Sequence, residues 1–144
     1  MLFVFNPNSG KGQIKNHLMS IIQTFSVAGY DITTYPTKAP LDGFRYILEK
    51  EGEYDVLVCS GGDGTLNEAV AAVLQYRCEK PAIGYIPSGT TNDFASSLSI
   101  PKSMRVAAQH IAYGTPRSCD IGMFNGRFII LGSGIGACID INCS

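Results

Sequence analysis

Asp63 stands among three glycines, Gly61, Gly62 and Gly64, in the run Ser60-Gly-Gly-Asp-Gly-Thr-Leu-Asn-Glu68. Glycines on both sides of a carboxylate free the backbone for φ > 0 and let a bulky group approach closely. Two more polar stretches are Asn6-Pro-Asn-Ser-Gly-Lys-Gly12 and Pro87-Ser-Gly-Thr-Thr-Asn-Asp93. Gly-, Ser- and Thr-rich loops that feed helix starts offer free backbone N–H groups and the positive end of a helix dipole, which suits an anion. Lys11 adds a mobile positive charge to the first loop. Asp63 would repel phosphate unless a divalent cation lay between them, and Mg²⁺ bridging carboxylate and phosphate oxygens is the ordinary solution.

Simpler roles compete for the same residues. Thr65-x-x-Glu68 has the spacing of a capping box, with Thr65 bonding the third helical N–H and Glu68 reaching back, and Glu68 is read as that cap. Asp63 would also suit a turn, but a bare turn has no need of glycine on both sides, so it is read as functional. Thr90 and Thr91 would suit a cap for the helix that follows, yet Gly-Thr recurring after two different strands points to a shared ligand. Familiar phosphate loops do not fit. A Walker A motif would need glycine where Phe5 stands and Ser or Thr where Gly12 stands, and no G-x-G-x-x-G opens the first βα unit. Gly132-Ser-Gly-Ile-Gly136 has the wrong spacing and reads as strand and turn glycine.

The elements that must hold these loops follow from hydrophobic periodicity. Leu2 to Phe5 is an apolar run suited to a parallel strand buried on both faces. Ile14, Leu18, Ile21, Ile22 and Phe25 recur at helical spacing, and Gly29 closes that helix. Tyr30 to Tyr35 alternates as a strand, and Phe44, Ile47 and Leu48 mark a helix ending near Gly52. Asp55 to Cys59 is a third strand. The helix after it runs from Leu66 to Tyr76, and Ala82 to Ile86 is a fourth strand. Helices are expected over about 93–98 and 103–113. Strands alternating with helices imply βαβ units, hence an α/β fold with an open, mostly parallel sheet and helices on both faces. In such a sheet the three loops leave the carboxyl edge, where ligands bind at the switch point. Arg117 to Phe124 and Arg127 to Leu131 flank Asn125-Gly126, a hairpin signal. The stretch from Ala137 to Ile141 looks like the start of more structure, so a longer natural protein is expected.

Composition sets the outer bounds. A chain of 144 residues with 45% hydrophobic and 16% charged residues is one globular domain. A net charge of −1 gives no basic field for nucleic acid. No apolar run approaches the ~18 residues of a membrane span, and the start lacks the pattern of a signal peptide. Five cysteines without C-x-x-C spacing read as reduced thiols, and His17 and His110 stand apart without acidic partners, so neither zinc nor a disulfide framework is expected. A cytoplasmic location follows. Lys102, Arg105 and Arg117 read as a solvated face.

Gly61-Gly-Asp-Gly-Thr-Leu-Asn-Glu with Pro87-Ser-Gly-Thr-Thr-Asn-Asp-Phe-Ala, preceded by Asn6-Pro-Asn-Ser-Gly-Lys, resembles the diacylglycerol kinase catalytic domain family, nearest its bacterial soluble lipid kinases. The resemblance also takes in Arg127 to Gly136 and so covers nearly the whole chain. It implies a sheet like the N-terminal domain of phosphofructokinases and NAD kinases, and transfer of the ATP γ-phosphate to a lipid hydroxyl with Mg²⁺. It also implies a second, β-rich domain that supplies much of the lipid site and the general base, so this chain alone is expected to be the nucleotide lobe with little turnover. Carried over by motif position, Asn6, Asn8, Ser9, Gly10 and Lys11 form the first phosphate loop. Gly61, Gly62, Asp63, Gly64, Thr65, Leu66 and Asn67 form the nucleotide loop, with Asp63 on the metal or its water network. Thr90, Asn92 and Asp93 complete the wall, Thr37 adds a nucleotide contact, and Lys11, Asp63 and Asp93 are the catalytic candidates. Ser96 and Ser97 stand where the family often has Arg. Expected partners are ATP and a lipid such as diacylglycerol, met at a membrane surface that the protein visits transiently. A face left for the second domain would invite self-association into a homodimer. An NAD kinase relative and a non-catalytic nucleotide-binding module are the alternatives.

Overall fold

β1 (Leu2–Phe5) is buried at every position, as its unbroken apolar run requires of a central parallel strand. The computed structural model describes residues 1–131 and 138–140, with side chains as far as Gly126. α1 (Ile14–Val27) turns Ile14, Ile21 and Phe25 inward. It ends as its glycine predicts: Gly29 adopts φ +97°, and the N–H groups of Gly29 and Tyr30 reach back to the carbonyls of Ser26 and Phe25. β2 (Thr33–Pro36) is shorter than the alternating run suggests and lies mostly exposed at the sheet edge. α2 (Asp42–Glu49), β3 (Val56–Gly61), α3 (Asp63–Leu74) and β4 (Ala82–Pro87) follow. A short α4 (Asp93–Ser97) precedes α5 (Met104–Tyr113), whose N-cap Ser103 accepts the Val106 N–H.

The main sheet has the order β2-β1-β3-β4-β8-β5, with β5 at Arg117–Ser118 and β8 at Cys138–Asp140. The first four strands are parallel, β8 runs antiparallel to β4, and β5 pairs parallel with β8. The expected hairpin divides: β5 joins the main sheet, and β6 (Asp120–Phe124) pairs antiparallel with β7 (Arg127–Leu131) in a separate ribbon. Between them Cys119 is buried. Asn125 and Gly126 both take positive φ, as a two-residue hairpin turn demands. The expectation for Gly132 to Gly136 lies outside the described residues.

α1 packs against α5, and α2 against α3. Right-handed crossovers on either side of β1 and β3 place these pairs on opposite faces of the sheet. Phe3, Val58, Ile83 and Tyr85 fill the layers between them and are wholly buried. The chain leaves β1 toward β2 and β3 toward β4, so the direction of winding reverses between β1 and β3. In register, Phe5 lies opposite Pro36 and Ser60, and Gly61 opposite Pro87. The loops after these strands therefore emerge along one edge, at the place where open α/β sheets open a crevice.

Candidate functional site

A cleft of about 580 Å³ opens at this edge. Asn6, Asn8, Ser9 and Gly10 line it from the loop after β1, and Gly62, Gly64, Thr65 and Glu68 from the start of α3. Gly89, Thr90 and Thr91 contribute from the loop after β4, and Thr37, Lys38, Ala39 and Pro40 from the segment after β2. Its volume falls in the usual range for a small-molecule site.

The three glycine-bearing loops touch one another through their backbones. A Cβ on Gly89 would lie 2.5 Å from the Gly62 Cα, and one on Gly10 would lie 2.5 Å from the Ser88 carbonyl oxygen. Gly10 also holds φ +56°. Any larger residue at either place would push neighbouring loops apart. Hydrogen bonds then fasten the contact. The Ser88 N–H donates to the Gly61 carbonyl at 3.0 Å, and the same oxygen accepts the Tyr85 hydroxyl at 2.9 Å. Burial, with Cys59 and Asp63 nearby, raises the Tyr85 pKa and keeps that hydroxyl a donor. Beneath the loops Ser60 Oγ and Ser88 Oγ share a bond of 3.2 Å, both side chains buried. Asn6 binds the first loop, its N–H donating to the Ser60 carbonyl and its Oδ1 accepting the Asn8 N–H.

Asp63 spans two loops. Its Oδ2 accepts the Asp93 N–H and its Oδ1 the Phe94 N–H, both at 3.2 Å, so this carboxylate caps α4. It also sits in the first turn of α3, where a negative charge meets the helix dipole favourably. Asn92, in the left-handed region at φ +49°, uses its amide at both ends: Oδ1 accepts the Gly89 N–H and Nδ2 donates to the Gly89 carbonyl. Asn92 thereby folds the Gly89–Thr91 turn on itself and leaves Thr90 and Thr91 exposed on the cleft wall.

The capping-box expectation for Thr65 and Glu68 is corrected. α3 begins at Asp63 with Gly62 as N-cap and no side-chain cap bond, so Thr65 is already inside the helix. Its Oγ1 lies 2.3 Å from where a Gly61 Cβ would be, which accounts for the glycine there. Glu68 reaches instead to the segment before α2, where Oε1 accepts the Leu41 N–H at 3.0 Å. Leu66 is buried in the core, while Lys11 and Asp93 are exposed; none of the three lines the cleft, nor do Gly61, Asp63, Asn67 and Asn92, which lie beside its lining residues in the chain. Lys38, Ala39, Pro40 and the wall position of Glu68 escaped the sequence reading, whereas Thr91, read with Thr90 as pointing to a shared ligand, does line the cleft. The first three follow β2 at the carboxyl edge, so the same strand-end rule pointed to them. Among the described residues no group of three or more His, Cys, Asp or Glu side chains could hold a metal ion. Nor is any helix among them long and apolar enough to cross a membrane.

Known proteins resemble this chain in sequence and in fold. The diacylglycerol kinase catalytic domain family matches residues 1–124. The diacylglycerol kinase of Bacillus subtilis (strain 168) is 39% identical over 129 residues, 88% of this chain and 42% of the relative. That of Staphylococcus aureus (strain bovine RF122 / ET3-1) is 39% identical over 131 residues, 88% of this chain and 40% of the relative. The crystal structure of a diacylglycerol kinase from Bacillus anthracis str. Sterne superposes with a TM-score of 0.78 at 29% identity, covering 88% of this chain and 44% of that one. The chain thus spans less than half the length of these relatives. With the family model matching residues 1–124 of 144, the chain belongs to the diacylglycerol kinase catalytic domain family.

Proposed function

We propose that this chain is the nucleotide-binding lobe of an ATP-dependent lipid kinase that transfers the γ-phosphate to the hydroxyl of diacylglycerol or a related lipid. The observation that carries the reading is the close backbone packing of three strand-end loops, Gly89 on Gly62 and Gly10 on Ser88, into one cleft wall at the switch point of the sheet. Backbone that approaches this closely, with Ser9, Thr65 and Thr90 beside it, suits a polyphosphate, which needs many short donors and room. Asn8 to Gly10 and Gly62 to Thr65 would cradle the phosphates, and Lys11, exposed at the end of the first loop, would swing in as charge partner. Thr37 and the Lys38–Pro40 wall would face the nucleoside.

Mg²⁺ suits this donor set when it arrives on the nucleotide, since such an ion keeps several waters and takes one or two carboxylates with phosphate oxygens. Asp63 is the acid that would hold it, through lone pairs left over after the two α4 bonds. The ion would neutralise charge developing on the transferred phosphoryl group. Glu68 is the one carboxylate among the described residues lining the cleft, and it is engaged with Leu41, so it is not offered as the general base. That base would come from the portion of the relatives that this chain does not span, and the chain alone would bind nucleotide with little turnover. The lipid would be met at a membrane surface visited from the cytoplasm.

Thermal unfolding with increasing ATP, with and without Mg²⁺, tests the reading. A ligand that binds only the fold stabilises it by about 2.7 kcal/mol at a hundredfold excess over Kd. A Tm that climbs with ATP, and climbs further with Mg²⁺, is the expected result. A Tm indifferent to nucleotide in the folded chain would refute it.

A further inference from the structure

Building on the nucleotide-lobe reading, we propose that Glu68 is a positioning residue that fixes the cleft wall formed by Lys38, Ala39 and Pro40. This wall has no regular secondary structure, lying between the end of β2 and the start of α2. Its two ends are held by two carboxylates. At the near end the Lys38 N–H donates to Asp42 Oδ2 at 2.9 Å, and the Tyr35 hydroxyl steadies the same carboxylate from 3.0 Å. At the far end the Leu41 N–H donates to Glu68 Oε1 at 3.0 Å.

The two holds differ in kind. Asp42 belongs to α2, the helix that the segment itself leads into, so its bond is local. Glu68 lies 27 residues beyond Leu41, on α3, and lines the cleft itself. Its bond ties the β2–α2 wall to the helix that carries Gly62, Gly64 and Thr65, and so sets the distance between opposite sides of the cleft. Leu41 is held at φ +66°, a conformation that costs a leucine about 1 kcal/mol or more and persists only where its surroundings impose it. The approach is close here too. A Cβ on Gly43 would lie 3.4 Å from Glu68 Oε2 and 3.2 Å from Thr37 Cγ2, so Glu68, Thr37 and the first turn of α2 pack as one unit. Releasing the carboxylate frees Leu41 to relax toward ordinary φ and carries Ala39 and Pro40 with it.

Calorimetric titration of the 144-residue chain with Mg·ATP, for wild type, Glu68→Ala and Glu68→Gln, tests this, alongside hydrogen exchange at the Leu41 amide. Glu68→Ala should weaken binding about tenfold and speed exchange at Leu41, while protection in the core strands stays as it was. Glu68→Gln, which keeps an acceptor oxygen without the charge, should recover most of both losses. Wild-type binding in Glu68→Ala, or a loss in Glu68→Gln equal to that in Glu68→Ala, would overturn the positioning role and leave the nucleotide reading standing. No saturable binding by the wild-type chain would overturn that reading and the inference with it.

Discussion

Gly62 and Gly89 meet backbone to backbone, but a side chain would clash from Gly89 only, so their substitutions should differ sharply. In Gly89→Ala the new methyl would lie 2.5 Å from the Gly62 Cα and 2.9 Å from Asn92 Oδ1. Forcing the loops apart should cost about 1–3 kcal/mol, read as a lower denaturant midpoint. In Gly62→Ala the nearest atom would be 3.7 Å away and φ is −82°, so its midpoint should stay within about 0.5 kcal/mol of wild type. Asp63→Ala removes both acceptors from the start of α4 and should cost about 1 kcal/mol, again read from denaturant unfolding. Asp63 stood out in the sequence because glycines surround it, yet its partners did not. The Asp93 and Phe94 N–H groups lie 30 and 31 residues away, and no local pattern encodes a bond across two loops. Glu68 misled for the opposite reason. Its spacing from Thr65 satisfies a local rule, but the helix had already begun at Asp63.

Among the elements, those with a strong period were legible. The apolar run of β1, the 3.6-residue stripe of α1 and the glycine that ends it all appear where periodicity and capping chemistry put them. The parallel order also followed, because strands alternating with helices leave few other solutions. What escaped were pairings decided at long range. β8 inserts between β4 and β5, antiparallel to the first and parallel to the second, and nothing in three residues of strand signals which neighbours they choose. Similarly, the break at buried Cys119, between β5 and β6, falls inside an otherwise continuous strand signal. The β3–β4 pair offers its own test. Tyr85→Phe keeps the ring and its edge contact with Phe94 but strips the Gly61 carbonyl of one donor. The Ser88 N–H remains on that oxygen, so the cost should be about 1 kcal/mol in chemical denaturation, without loss of the folded state.

Taken whole, the molecule carries protons that its unfolded chain would shed. Burial pushes the Cys59 thiol from 9.0 up to about 12. The Tyr76 hydroxyl, which donates to the Ile47 carbonyl, is pushed from 10.0 up to about 12 chiefly by burial, with Glu51 adding to it. Each folded pKa lies above its unfolded value, so stability from these groups is complete below about pH 9 and declines as the pH rises through 12. Denaturant midpoints taken at about pH 8 and about pH 11 should show the drop, and equal midpoints would argue against it. The central claim is that one edge of this sheet receives a nucleotide. A ¹⁵N–¹H titration of the chain with Mg·ATP tests it most directly. Saturable shifts should gather on the amides of Asn8 to Gly10, Gly62 to Thr65 and Gly89 to Thr91. Amides around the depression between Gly52 and Pro81, elsewhere on the molecule, should stay still. Shifts centred on that depression, or none at all in a folded chain, would contradict it.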